Sequence, residues 1–171
     1  MYQVGDLIIY GNTGVCEVTD IMIKDLFGTD IEGNFYVLRP LYQNCTISTP
    51  VNTTKVFMRP IISKDEAVRL IDSIPTIKAK QSNITDLRQL TEHYDSYFKT
   101  YDCADLIELS MSIYEKRQAL KEQKRKFGAI DERYMKRAED LLFGELSAAL
   151  GICKDDLPDY IQARVDGTVS G

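Results

Sequence analysis

The strongest constraint in this chain is a change of periodicity at Ser63. Before it, apolar residues come in short runs broken by Gly, Asn, Asp and Pro; after it, they recur at three- and four-residue spacing as far as Gly151. A strand sends successive side chains to opposite faces, whereas a helix brings positions i, i+3 and i+4 together. A chain that is β-rich first and helical afterwards is expected to be α+β, with the two kinds of element segregated. The junction carries helix-start chemistry. Ser63-Lys64-Asp65-Glu66 reads as a capping box, in which the Ser hydroxyl accepts from the Glu66 amide and the Glu66 carboxylate reaches back. The sequence therefore divides into residues 1–62 and 63–171.

In the first part, residues 7–10 form an apolar run and residues 15–23 are rich in β-branched side chains. Gly11-Asn12-Thr13-Gly14 between them is a hairpin signal, because Gly and Asn tolerate positive φ. Residues 30–34 and Gln43-Asn44 mark further turns. Strands this short predict a small twisted barrel of about five strands, whose closure protects its edges. Tyr10, Phe35, Tyr36 and Tyr42 are read as fillers of a small core in preference to an aromatic cage for a methylated amine.

The second part predicts a bundle of about five helices. The first runs from the capping box to before Pro75. The second spans 85 or 86 to 99, with Leu87, Leu90, Tyr94 and Phe98 on one face. The third starts at the N-cap Asp102, shows Ala104, Ile107, Met111 and Tyr114 at helical spacing, and continues to about Lys126. The fourth begins near Asp131 and ends at Gly151, where an αL cap is expected. A last short helix covers about 156–164.

Catalytic signals are absent from the pattern. Gly11 to Gly14 lacks the Lys-Ser/Thr of a phosphate loop and leads into a strand. Glu139-Asp140 and Asp155-Asp156 are adjacent pairs, which do not face each other on a helix. Cys16, Cys45, Cys103 and Cys153 are widely scattered, and His93 is the only histidine. They are read as reduced thiols packed as small hydrophobes and as a surface or core imidazole. No enzyme activity, cofactor, metal or small-molecule substrate is expected. No membrane span or signal peptide is read, so the expected location is cytoplasmic.

The net charge of −5 argues against bulk affinity for nucleic acid, but its distribution is uneven. Residues 116–137 hold nine basic and three acidic side chains, a net +6, whereas residues 138–171 hold two and seven, a net −5. An acidic tail beside a basic helix pair offsets its field.

A series of short motifs carries a resemblance. Val4-Gly5-Asp6 opens a strand that ends at Tyr10, and Gly11 to Gly14 turns it. Gly14-Val15-Cys16-Glu17-Val18 and Phe35-Tyr36-Val37-Leu38 follow, then Pro50-Val51-Asn52 and Met58-Arg59-Pro60-Ile61-Ile62. In order and spacing they resemble the RNA polymerase-interacting domain of the CarD-like bacterial transcription regulators, shared with transcription-repair coupling factors. Glu132-Arg133, Ala138, Leu142, Glu145-Leu146 and Ala148 resemble that family's last long helix. The resemblance implies a Tudor-like barrel over residues 1–62, a helical domain over 63–171, and the polymerase β subunit and promoter DNA as partners.

The family's β-subunit contacts fall here on Lys24 and on Ser48 beside Ile47. Lys24 keeps the basic character of its position, and Ser48 does not. The family's DNA-wedging tryptophan falls near Leu87, followed by Arg88, and the chain has no tryptophan. Leu87 lies on the apolar stripe of its helix, so it is expected in the core, with Arg88 the better DNA candidate. Lys124, Arg125 and Lys126 are the expected phosphate contacts. The implied function is stabilisation of the open promoter complex, with weak binding to free DNA. The alternative is an adaptor that uses the barrel without DNA contact.

Overall fold

The Gly11–Gly14 segment turns the chain as its composition dictates. In the computed structural model, which describes residues 1–25, 32–77 and 83–167, Gly11 and Gly14 have φ of +46° and +95°. A Cβ on Gly11 would also lie 2.9 Å from Val56 Cγ1. The turn joins β1 (Leu7–Tyr10) to β2 (Gly14–Asp25), with Tyr10 opposite Gly14. β3 (Glu32–Pro40), β4 (Ile47–Pro50) and β5 (Met58–Pro60) complete an antiparallel sheet of order β4-β3-β2-β1-β5. β2 runs beyond the expected residue 23, and residues 32–34, expected in a turn, pair with it. Asp30 and Ile31 of that expected turn lie outside the described residues.

The chain divides into two units, Met1–Ser63 and Lys64–Gly171. In the first, Ile8, Cys16, Val18, Tyr36 and Leu38 form the buried centre. The Tyr36 hydroxyl accepts from the Tyr2 amide at 2.9 Å, which satisfies a polar group inside an apolar cluster. Phe35 is buried with Tyr36, as core filling requires, whereas Tyr42 is exposed. The sheet is open in its hydrogen-bonded order. β4 and β5 each have one strand partner among the described residues, so these pairings do not close the expected barrel.

The second unit is all-helical: α1 (Lys64–Ser73), α2 (Leu87–Phe98), α3 (Cys103–Glu122), α4 (Ala129–Leu150) and α5 (Leu157–Val165), with short 3-10 turns at Ile74–Thr76 and Lys154–Asp156. Side chains start two of the helices. Asp86 accepts from the Gln89 amide and Asp102 from the Ala104 amide, both at 2.9 Å. Gly151 ends α4 at φ +70°, the expected left-handed cap.

Three helical expectations need correction. α3 stops at Glu122, not near Lys126. Lys124 takes φ +56°, its amide donates to the Lys121 carbonyl, and the Arg125 amide donates to the Leu120 carbonyl. That pair of bonds is a Schellman motif with Lys in the place that usually holds Gly. The apolar stripe of α3 is also different. Leu106, Leu109 and Ile113 are buried beside Ile107, while Tyr114 is 50% exposed, because α3 packs on both α2 and α4. Finally, Leu87 is not a core residue. Leu90, Tyr94 and Phe98 are buried at four-residue spacing, but Leu87, at the first position of α2, is 65% exposed.

Candidate functional site

The first candidate surface lies on the sheet. Ile47 pairs with Leu38 and packs against the buried cluster, so it anchors β4 to the core. Ser48, opposite Val37, is exposed on the edge strand. Lys24 is in β2 opposite Gly33. Val37 and Gly33 are four residues apart on β3, about 13 Å at strand rise. Lys24 and Ser48 thus belong to strands on either side of β3, the first opposite its start and the second opposite its middle. One continuous strand system holds these candidates without making them neighbours.

The second surface is the α3–α4 turn. Lys121, Lys124, Arg125 and Lys126 are all exposed there. Because α3 ends early, the last three project from a tight turn and not from a helix face. Other cations of the basic stretch are committed inward. Lys116 Nζ lies 3.0 Å from Asp131 Oδ1. The Arg137 guanidinium stands 4.1 Å from the centre of the Phe98 ring and 3.9 Å from Asp95 Oδ1. The outward field is therefore smaller than the +6 of the sequence, and it is concentrated at the turn.

A third group lies at the start of α2. Arg88 pairs only loosely with Glu92, at 3.5 Å, and its side chain is 89% exposed. It neighbours the exposed Leu87, so an apolar and a cationic side chain stand together on one helical turn. Sequence reasoning put Leu87 on the core stripe because periodicity reports a face but not where the covering helices stop.

Within the helical unit a polar network joins α2, α3 and α4. Tyr94 and Lys116 both donate to Asp131 Oδ1, and Tyr134 donates to Asp95 Oδ1 at 2.6 Å. The Tyr94 and Tyr134 rings meet at 5.3 Å. Burial, then the Asp131 carboxylate, pushes the Tyr94 hydroxyl pKa far up. Burial and Asp95 raise that of Tyr134, which Arg133 partly opposes. Asp131 and the buried Glu145, which accepts from the Cys103 thiol, were not legible as core residues. Cys16 and Cys103 are buried as expected of small hydrophobes, but Cys45 and Cys153 are exposed. Burial pushes the Cys16 thiol up to about 11.

Among the described residues, no group of three or more His, Cys, Asp or Glu is placed to hold a metal ion. No helix there is long and apolar enough to cross a membrane.

With this geometry in place, the comparison with known families is specific. Residues 2–62 match the model of the CarD-like/TRCF RID domain. The resemblance read from the short motifs is thereby shown for the N-terminal unit. The match ends at Ile62, so the further resemblance over Glu132 to Ala148 lies beyond it. No curated protein matches the chain.

Proposed function

We propose that this chain is an accessory, non-enzymatic transcription regulator of the cytoplasm. Its N-terminal unit binds the RNA polymerase β subunit, and its helical unit contacts promoter DNA and stabilises the open complex. The observation that carries the reading is the match of residues 2–62 to the RNA polymerase-interacting domain shared by CarD-like regulators and transcription-repair coupling factors.

The sheet offers a physical basis for the first contact. β4 has β3 as its one strand partner among the described residues, and an edge strand can add a strand from another protein. Ser48 lies on that edge, Ile47 holds it to the core, and Lys24 pairs with Gly33 near the end of β2. The Tudor-like character of the unit belongs to this same reading. Docking then raises the local concentration of the helical unit over DNA, so a weak DNA binder of net charge −5 can act. Lys124, Arg125 and Lys126 supply phosphate attraction. Leu87 and Arg88 supply an apolar tip and a cation, and Leu is a known wedge side chain in minor grooves.

A second reading has its own support. The family match stops before the helices, and the chain lacks tryptophan. On that reading the protein is an adaptor that docks through the sheet without DNA contact. Open-complex lifetime on purified polymerase separates the two. Charge reversal of Lys124, Arg125 and Lys126 shortens it, most at low salt, if DNA is touched. If β-subunit binding persists while lifetime is unchanged, the adaptor reading stands.

A further inference from the structure

A cleft of about 320 Å³ opens between the end of α3 and the first half of α4, lined by Arg117, Phe127, Glu132, Met135, Lys136 and Glu139. Four of these side chains are charged, two of each sign. Yet no ion pair joins any of them to another described residue; Arg117 stands over the Phe127 ring, at 5.6 Å, and faces Glu139 across the cleft. Glu139 is half-buried and accepts no hydrogen bond from the described residues. Burial and Asp140 push its carboxyl above the usual range, with Arg117 across the cleft opposing them. The cleft therefore presents acceptors, cations and an apolar floor with no close ion pair among the described residues.

The surroundings decide what could match them. A zwitterion such as an amino acid has one negative group, but the rim is strongly basic. Lys121 is the next-to-last residue of α3, and Lys124, Arg125 and Lys126 run directly into Phe127. A ligand with several negative charges fits that rim better. A planar base can stack on the Phe127 ring, and stacking is tolerant of base identity. A carboxylate adds discrimination, because it accepts only. Guanine presents an N1–H and an exocyclic amine side by side, which one carboxylate can accept together; adenine lacks that paired donor edge. The volume lies at the small end of ligand sites, which suits one base with its sugar and phosphates outside.

We infer that this cleft binds a guanine nucleotide, with the base between Phe127 and the carboxylates of Glu139 and Glu132, and its phosphates on Arg117, Lys136 and the basic turn. The inference does not depend on polymerase binding. The same chemistry can come from a free nucleotide or from an unpaired guanine in single-stranded DNA.

Calorimetric titration of the full chain with GDP, ADP and pyrophosphate tests it. Saturable GDP binding, about tenfold or more tighter than that of ADP or pyrophosphate, is expected. Glu139→Gln should remove about a factor of ten for GDP while leaving the melting temperature unchanged. Phe127→Leu, which keeps an apolar filler, should weaken all bases alike. If a short oligonucleotide with one unpaired dG displaces GDP, the source is DNA; if it does not, the source is the free nucleotide. No saturable binding, equal binding of GDP, ADP and pyrophosphate, or GDP binding untouched by Glu139→Gln overturns the inference.

Discussion

The Lys116 ammonium and the Asp131 carboxylate meet at 3.0 Å with side chains only 15% and 6% exposed, and so tie α3 to the first turn of α4. Tyr94 on α2 donates to the same carboxylate, which makes Asp131 the point where three helices are joined. Its position in the first turn of α4 also suits a negative charge, because helix N-termini carry partial positive charge. Removing one partner of such a pair strands the other. Asp131→Ala should therefore cost about 3–5 kcal/mol of stability. Asp131→Asn keeps an acceptor for Tyr94 and should cost less. Urea unfolding of the two variants measures both.

Alkaline pH should weaken the helical unit through Tyr94. Its folded-state pKa is raised by burial first and by Asp131 second. A raised pKa means that the folded state keeps its proton after the unfolded state has lost it. The stabilisation is complete below the unfolded tyrosine value of about 10 and is lost as pH rises above it. The slope for one proton approaches about 1.4 kcal/mol per pH unit. Urea midpoints between pH 8 and 11 should fall, and Tyr94→Phe should flatten the fall. An equal slope in that variant would assign it to other groups.

Lys124→Gly should stabilise the protein. Lys124 holds φ +56° in a Schellman turn whose two bonds are formed by backbone alone. A left-handed residue with a Cβ costs about 1 kcal/mol, and Gly avoids that cost. Thermal unfolding should show a gain of up to that size. A loss would mean that the Lys124 side chain supports the turn.

Leu87→Ala separates stability from DNA contact. With Leu87 65% exposed, its truncation should change stability by no more than about 0.5 kcal/mol. If Leu87 serves as the wedge, the same variant shortens open-complex lifetime. Arg88→Ala should also shorten it, more at low salt. Unchanged lifetimes in both variants would remove the start of α2 from the DNA surface.

Much of this fold is legible in the sequence where local chemistry decides it. The Gly11–Gly14 turn, the Asp86 and Asp102 caps and the Gly151 stop each follow from one or two residues. The failures have a common cause. Lys124 stops α3 in a conformation that its residue type does not favour, and the turn bonds that hold it are not visible as a motif. Leu87 keeps the right period but overhangs the helices that cover Leu90 and Tyr94. Asp131 is buried because Lys116 and Tyr94 lie on other helices, 15 and 37 residues away in the chain. The cleft went unseen because Phe127 reads as a helix stop and Glu139 as one of two adjacent acids. The likeness of residues 2–62 to the CarD-like/TRCF RID domain was legible from the order of the motifs, though the open strand order was not.

The proposed binding of the N-terminal unit to the RNA polymerase β subunit is tested by titrating the full chain against the purified β subunit. Saturable one-to-one binding is expected, and Lys24→Glu and Ser48→Glu should each weaken it, since a charge of the wrong sign or a newly buried one opposes association. Charge reversal of Lys124, Arg125 and Lys126 should leave that affinity unchanged. No binding to the β subunit, or binding lost only on the helical-unit reversal, would contradict it.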